Sequence, residues 1–134
     1  MNTKNYKKIL ILGSTGKMGL ALKAVFEGVY DVVGKNSKDF DAYNFSEVKS
    51  LIQNLSPDIV VNAVAFMGID ACEKDPQNAL NLNTLLPKFL AELSRELGFL
   101  LVHFSTDAVF NGKDRKVYLE TDCPQPVNLY GYTK

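Results

Sequence analysis

The stretch Lys8-Ile-Leu-Ile-Leu-Gly-Ser-Thr-Gly-Lys-Met-Gly19 decides how the rest of the chain is read. Its apolar run, Ile9 to Leu12, is short and stops at glycine, as a strand buried on both faces of a parallel sheet does. Gly13, Gly16 and Gly19 follow at every third position, with Thr15, Lys17 and Met18 between them. Glycines let a backbone turn tightly and approach a pyrophosphate, and the helix that follows offers free amides and a partial positive charge. The spacing is GxxGxxG rather than the GxGxxG of the usual dinucleotide fingerprint. A tight strand-to-helix turn is the plainer explanation, but the position at the first strand–helix junction favours a nucleotide site.

Working outward, a helix is predicted from about Gly16 to Glu27, with Met18, Leu22, Val25 and Phe26 on one side. Tyr30 to Val33 reads as a second strand ended by Gly34, and a brief strand is possible near Asp41 to Tyr43. Ser46 reads as the N-cap of a helix that Pro57 ends. Asp58 to Val64 is a third strand, and Ala65 to Lys74 reads as a loop. Asp75-Pro76 opens a long helix through Leu82, Leu86, Phe89, Leu90, Leu93 and Leu97, stopped by Gly98. Pro87 lies inside it and removes the amide that would bond the Asn83 carbonyl, which predicts a kink there. Phe99 to Ser105 is a fourth strand, and Asn111 to Asn128 reads as loop. Strands alternating with helices imply an α/β fold, a Rossmann-like doubly wound parallel sheet. Ligands of such sheets bind beyond the carboxyl ends of the strands.

Composition narrows the function. The chain has 134 residues, 46% of them hydrophobic, with 15 basic and 15 acidic side chains. It is long enough for one domain with a core, and zero net charge gives no electrostatic reason to expect nucleic acid or an anionic membrane as partner. No apolar run approaches the roughly 20 residues that span a bilayer, and the N-terminus lacks a signal-peptide core. A cytoplasmic protein is expected. Cys72 and Cys123 lie far apart and His103 is the sole histidine, so no metal site is expected. His103, between Leu100–Val102 and Phe104, reads as a strand residue rather than a base.

Other motifs fall at the strand tips. Lys35 and Asn36 follow Gly34 about where NAD-preferring sites place an acid that accepts from the ribose 2′-hydroxyl. A lysine with small polar neighbours suits a 2′-phosphate, so NADPH is favoured over NADH, although Asp39 and Asp41 follow closely and keep NADH open. Ser105-Thr106-Asp107 closes the fourth strand, where hydroxyls face a ligand crevice or simply end a strand. Tyr130 and Lys134 stand four apart at the end of the chain and would share one helix face. A lysine ammonium one turn away pulls down a tyrosine pKa that is otherwise about 10.

Together, GxxGxxG, Asn62-Ala-Val-Ala65, Ser105-Thr-Asp107 and Tyr130-xxx-Lys134 resemble an extended short-chain dehydrogenase/reductase. The stretches LSPDIVVNAVA, STDAVFNG and ETDCPQPVNLYGYTK are similar, more closely, to the dTDP-4-dehydrorhamnose reductase family, over Ile9 to Lys134. That family reduces the C4 ketone of a deoxy sugar nucleotide with a nicotinamide cofactor. The resemblance implies that Tyr130 donates a proton to the forming alkoxide, that Lys134 lowers the tyrosine pKa and holds the nicotinamide ribose, and that Thr106 bonds the ketone oxygen. Gly13, Thr15, Gly16, Lys17, Met18 and Gly19 would cradle the pyrophosphate. Asp41 would contact adenine, while Ala63, Val64, Ala65 and Ser105 would line the cofactor.

The chain departs from the family pattern in two ways. Phe66 and Ala108 stand where relatives often carry tyrosines, which leaves the sugar open. Relatives are also about twice as long, so residues 1–134 are expected to be an incomplete NAD(P)-binding Rossmann domain without the C-terminal sugar-binding domain. On that expectation a homodimer stays open for the complete protein, and this chain binds cofactor weakly without turnover. Tyr130 and Lys134 are expected to be poorly fixed, because one helical turn does not hold itself. A sheet edge or face should be uncovered. A nucleotide-binding regulatory subunit of the same fold and a sugar-nucleotide epimerase remain the competing readings.

Overall fold

A computed structural model describes residues 8–113 and 117–134. The N-terminal segment read for a signal peptide, apart from Lys8, and residues 114–116 of the expected loop lie outside the described residues. The described chain forms two compact units, one built from residues up to Val64 plus Leu86–Phe104, the other from Ala65–Leu85 plus Ser105–Lys134.

The first unit holds the sheet. Strands β1 (Lys8–Leu12), β2 (Asp31–Lys35), β3 (Ile59–Asn62) and β4 (Leu100–His103) are all parallel, in the order β2-β1-β3-β4. Helix α1 (Lys17–Phe26) connects β1 to β2, and α2 (Phe45–Leu55) carries the chain from β2 back across β1 to β3. The two crossovers run in opposite directions along the sheet. Right-handed connections therefore place their helices on opposite faces, which is the doubly wound arrangement expected from the alternation.

The core follows strand alternation. Ile9, Ile11 and Val61 are buried on one face under Leu22 and Phe26 of α1. Leu10, Leu12 and Val60 point the other way and are also buried. That second layer draws Val48 and Ile52 from α2, and Leu86, Leu90 and Leu93 from α5 (Leu86–Leu97). Phe45 of α2 and Phe89 of α5 stack at 4.7 Å between centroids. On the α1 face, Leu100 and Val102 of the edge strand β4 stay 47% and 37% exposed, so an uncovered sheet edge is found as expected.

Several boundaries differ from the sequence reading. Met18 and Val25 are exposed, so the buried side of α1 runs through Gly19, Leu22 and Phe26. β2 extends through Gly34, which does not end it. A Cβ on Gly34 would stand 2.8 Å from the Ser14 Cβ, so this glycine makes room for a buried serine. Asp41–Tyr43 is a turn rather than a strand. The N-cap of α2 is Asn44, whose side chain accepts from the Glu47 amide, and not Ser46. β3 and β4 are each shorter than expected at both ends.

The second unit is built of short elements. Helix α3 (Ile69–Lys74) occupies most of the segment expected to be loop. Helix α4 (Pro76–Leu80) starts as predicted, with Asp75 capping the Asn78 amide and Pro76 at the first helical position. The turn Asn81–Leu85 is a π turn, so the disturbance expected from Pro87 takes the form of a widened helix just before it. A 3₁₀ turn spans Asp107–Val109, and α6 covers Leu129–Thr133.

Candidate nucleotide and hydroxyl sites

In the first unit the sequence places β1 and β3 side by side, although β2 lies between them in the chain. Their carboxyl ends therefore flank the point where the strand order reverses, the usual ligand crevice of an open α/β sheet. Gly13 leaves β1 with φ of 79°, a conformation that favours glycine. A Cβ there would lie 3.0 Å from the Ala63 carbonyl and the Val64 amide, so the glycine turn and the end of β3 are in close approach. The Gly13 and Ser14 amides both donate to the Lys35 carbonyl, at 2.9 and 3.0 Å, which ties the tip of β2 to the same turn.

The three glycines differ in what the fold asks of them. At Gly19 a Cβ would stand 2.7 Å from the Ser14 Cα, so helix and turn pack only because it is glycine. Gly16 has an ordinary φ of −73°, and the nearest atom to its Cβ would be 3.5 Å away. The fold does not use the missing side chain of Gly16. Gly16 is also the N-cap of α1, and it supplies no side-chain hydrogen bond to the helix amides. The amides of Lys17, Met18 and Gly19 precede the first intrahelical bond, from Leu20 to the Gly16 carbonyl at 2.9 Å. Thr15, Gly16, Lys17 and Met18 are all exposed. A helix start without a side-chain cap, at an exposed glycine whose Cβ would meet nothing nearer than the Gly13 carbonyl at 3.5 Å, fits a phosphate group.

Around the tip of β2, Lys35 Nζ lies 3.8 Å from Asp39. Asp39 also accepts from the Asn36 amide at 2.8 Å, and Asn36 from the Lys38 amide at 2.8 Å. Asp41 turns its carboxylate to the Tyr43 amide at 2.9 Å. These acids hold their own loop. At the end of β3, Asn62 is buried, accepts from the Val64 amide at 3.1 Å and pairs with His103 Nδ1 at 3.3 Å across the β3–β4 register. His103 is thus a strand residue, as its neighbours suggested.

In the second unit, Thr106 caps the 3₁₀ turn. Its hydroxyl accepts from the Ala108 amide at 3.2 Å and donates to Asp107 at 3.1 Å. Ser105, just before it, is exposed. The turn packs against α6. A Cβ on Gly131 would overlap the Ala108 carbonyl, so Gly131 is what lets the turn that Thr106 caps meet the turn that carries Tyr130.

α6 is held, contrary to expectation. Asn128 caps it through the Gly131 amide at 2.8 Å, and Glu73 of α3 accepts from the Leu129 amide at 2.9 Å. The Thr84 hydroxyl donates to the Thr133 carbonyl at 2.6 Å, and Asn83 reaches the Thr133 hydroxyl at 3.2 Å. Gly131 and Thr133 are buried. Tertiary partners thus supply what a lone turn lacks. Burial pushes the Lys134 ammonium below the usual lysine range. Ala65 and Phe66 open this unit, and both are half-buried. The sequence reading missed Asn83 and Glu73 as partners of α6, and nothing in local spacing marks them.

Parallel strands with helices on both faces and a glycine turn at the switch point define a Rossmann-like fold. The chain belongs to the RmlD substrate binding domain family, whose model matches residues 7–134. It is 34% identical over 130 residues to the dTDP-4-dehydrorhamnose reductase of Escherichia coli (strain K12), covering 94% of this chain and 44% of that one. It is 35% identical over 128 residues to the spore coat polysaccharide biosynthesis protein SpsK of Bacillus subtilis, covering 95% of this chain and 45% of that one. The crystal structure of dTDP-4-dehydrorhamnose reductase from Bacillus anthracis in complex with NADP superposes with a TM-score of 0.90 at 30% identity, over 97% of this chain and 47% of that one. The chain thus spans a little under half the length of these relatives. Among the described residues, no helix is long and apolar enough to cross a membrane.

Proposed function

We propose that this chain is the cofactor-binding part of an NAD(P)H-dependent reductase acting on a 4-keto deoxy sugar nucleotide. The single observation that carries the reading is the unused space at Gly16 above an uncapped helix start, on the glycine turn beside Ala63. Relatives named as dTDP-4-dehydrorhamnose reductases, one of them solved with NADP, support the reaction class.

Gly13, Thr15, Gly16, Lys17, Met18 and Gly19 would hold the pyrophosphate, with Ala63, Val64, Ala65 and Ser105 along the cofactor. Lys35 and Asn36 favour the 2′-phosphate of NADPH over NADH. Lys35 would serve it by exchanging its Asp39 partner, since the two side chains stand 3.8 Å apart and are 29% and 33% exposed, which leaves the pair weak. Asp41, whose carboxylate accepts from the Tyr43 amide, would contact the adenine. When bound, the nicotinamide supplies the hydride that reduces the ketone carbon. Thr106 turns its hydroxyl from Asp107 to the carbonyl oxygen, where a donor stabilises the growing negative charge. Tyr130 passes its phenolic proton to that oxygen, which completes the alcohol. Lys134, charged and one turn away, stabilises the phenolate left behind. Phe66 and Ala108, in place of hydroxyl-bearing rings, make the substrate surface more apolar than in many relatives.

The test mixes the full-length protein with NADPH or NADH and a panel of 4-keto sugar nucleotides, following absorbance of the reduced nicotinamide. Oxidation that disappears in Tyr130→Phe supports the reductase. Cofactor binding with no turnover across the panel favours a regulatory binding module instead.

A further inference from the structure

The chain holds a single Asn-Gly pair, Asn111-Gly112, just past the 3₁₀ turn Asp107–Val109. The Asn111 side chain is fastened through both of its polar atoms. Oδ1 accepts from the Lys113 amide at 2.9 Å and from the Tyr118 hydroxyl at 3.1 Å. Nδ2 donates to Gln125 Oε1 at 2.6 Å. The Tyr118 ring stacks on Phe110 with 4.4 Å between centroids, which holds the hydroxyl in place. Gly112 is exposed, and a Cβ on it would meet nothing within 4 Å. Among the described residues, no acceptor holds its amide.

An asparagine Cγ and the next backbone nitrogen can close a five-membered ring. Attack by that nitrogen drives negative charge onto Oδ1. Two donors already on Oδ1 stabilise that charge, as an oxyanion hole does. The attacking nitrogen is open, because Gly112 brings no Cβ beside it and no acceptor holds its proton. We propose that Asn111-Gly112 is a self-modification site that deamidates in the folded chain. The Gly112 nitrogen bonds to Asn111 Cγ and gives its proton to solvent. The Cγ–Nδ2 bond breaks, and Nδ2 takes a proton from water and leaves as ammonia. A second water molecule opens the succinimide to aspartate or isoaspartate. The net change is one water consumed and one ammonia released, with no oxidation or reduction. The new carboxylate still accepts from Lys113 and Tyr118, but it offers Gln125 Oε1 no donor. The Gln125 amide donates to the Val109 carbonyl at 2.9 Å, so the loosened contact adjoins the turn that Thr106 caps. Nothing in this step depends on the proposed reductase reading.

Asn36-Ser37 is the internal control. Asn36 Oδ1 also accepts from the amide two residues on, that of Lys38 at 2.8 Å, but the residue between them carries a side chain. The test is ageing of the purified chain in mildly alkaline buffer, with peptide mapping by mass spectrometry for aspartyl and isoaspartyl products. Asn111 should convert at least about 10-fold faster than Asn36. Tyr118→Phe keeps the ring stack and removes one donor, so it should slow conversion at Asn111 about threefold or more. In urea, where the loop is unfolded, parent and Tyr118→Phe should convert at the same rate, and the native parent should be at least about twofold faster than the parent in urea. Conversion at Asn111 no faster than at Asn36 overturns the proposal. So does a native Tyr118→Phe chain that converts as fast as the parent or faster, because the hydroxyl would then be idle or would guard the amide.

Discussion

The glycine turn allows a sharp separation of structural from ligand demands, through Gly16→Ala and Gly19→Ala. At Gly19 the new methyl would meet the Ser14 Cα at 2.7 Å and the Ser14 carbonyl carbon at 2.9 Å. Both are backbone atoms that no rotamer change can move. Overpacking of that kind costs about 1–3 kcal/mol, and alanine's better helix propensity returns up to about 1 kcal/mol. A net loss of about 1–2 kcal/mol corresponds to a Tm lower by roughly 4–8 °C for a chain of this size. At Gly16 the methyl has no neighbour nearer than 3.5 Å and φ is −73°, so only the weaker N-cap preference is lost, about 0.5–1 kcal/mol. The Gly16 methyl does occupy the space assigned to the pyrophosphate. Thermal unfolding by circular dichroism and NADPH binding by fluorescence should therefore invert the two variants. Gly16→Ala should keep its Tm within about 4 °C and lose NADPH affinity 10-fold or more, whereas Gly19→Ala loses Tm first. Unchanged NADPH affinity in Gly16→Ala would refute the reasoning, because the open space would then belong to no ligand.

Other outcomes follow from single contacts. Lys35→Ala should weaken NADPH binding about 10-fold and leave NADH within threefold; equal loss for both cofactors contradicts the 2′-phosphate role. Asn44→Ala removes the cap that accepts from Glu47 and should cost about 1 kcal/mol in urea unfolding, while Ser46→Ala should cost almost nothing. Cys72 is buried, and desolvation followed by the Glu73 carboxylate raises its thiol pKa, whereas Cys123 is exposed. Because the folded thiol deprotonates above its unfolded value of about 8.5, its contribution is present below that pH and stability falls as pH rises through it. Thiol titration of native chain at pH 8 should label Cys123 at least 100-fold faster than Cys72, and comparable rates would contradict the burial.

The sheet was legible because its inner strands are buried on both faces and need unbroken apolar runs, as at Ile9–Leu12 and Ile59–Val61. The Asp75-Pro76 start and the Gly98 stop were legible because each rests on local backbone chemistry. Asn44 was within reach too, since Glu47 three residues on completes a capping pattern that outranks Ser46. Other features depend on partners distant in sequence. Gly34 looks like a strand breaker until Ser14 is seen against it. Helix α3 is too short to show a period. The hold on α6 comes from Asn83, Thr84 and Glu73, 49 to 56 positions away from the groups they bind, so nucleation arguments on the isolated turn reach the wrong answer. For the candidate site, residue types and order were readable. The distinction between Gly16, which the fold leaves open, and Gly13 and Gly19, which it requires, needed the neighbours of each.

The most direct measurement is an NADPH titration of the ¹⁵N-labelled chain followed by amide chemical shifts, which detects even weak binding. The account predicts the largest shifts at Thr15, Gly16, Lys17, Met18 and Ala63, saturating together and lost in Gly16→Ala. Saturable shifts centred elsewhere, with these amides unmoved, would contradict it.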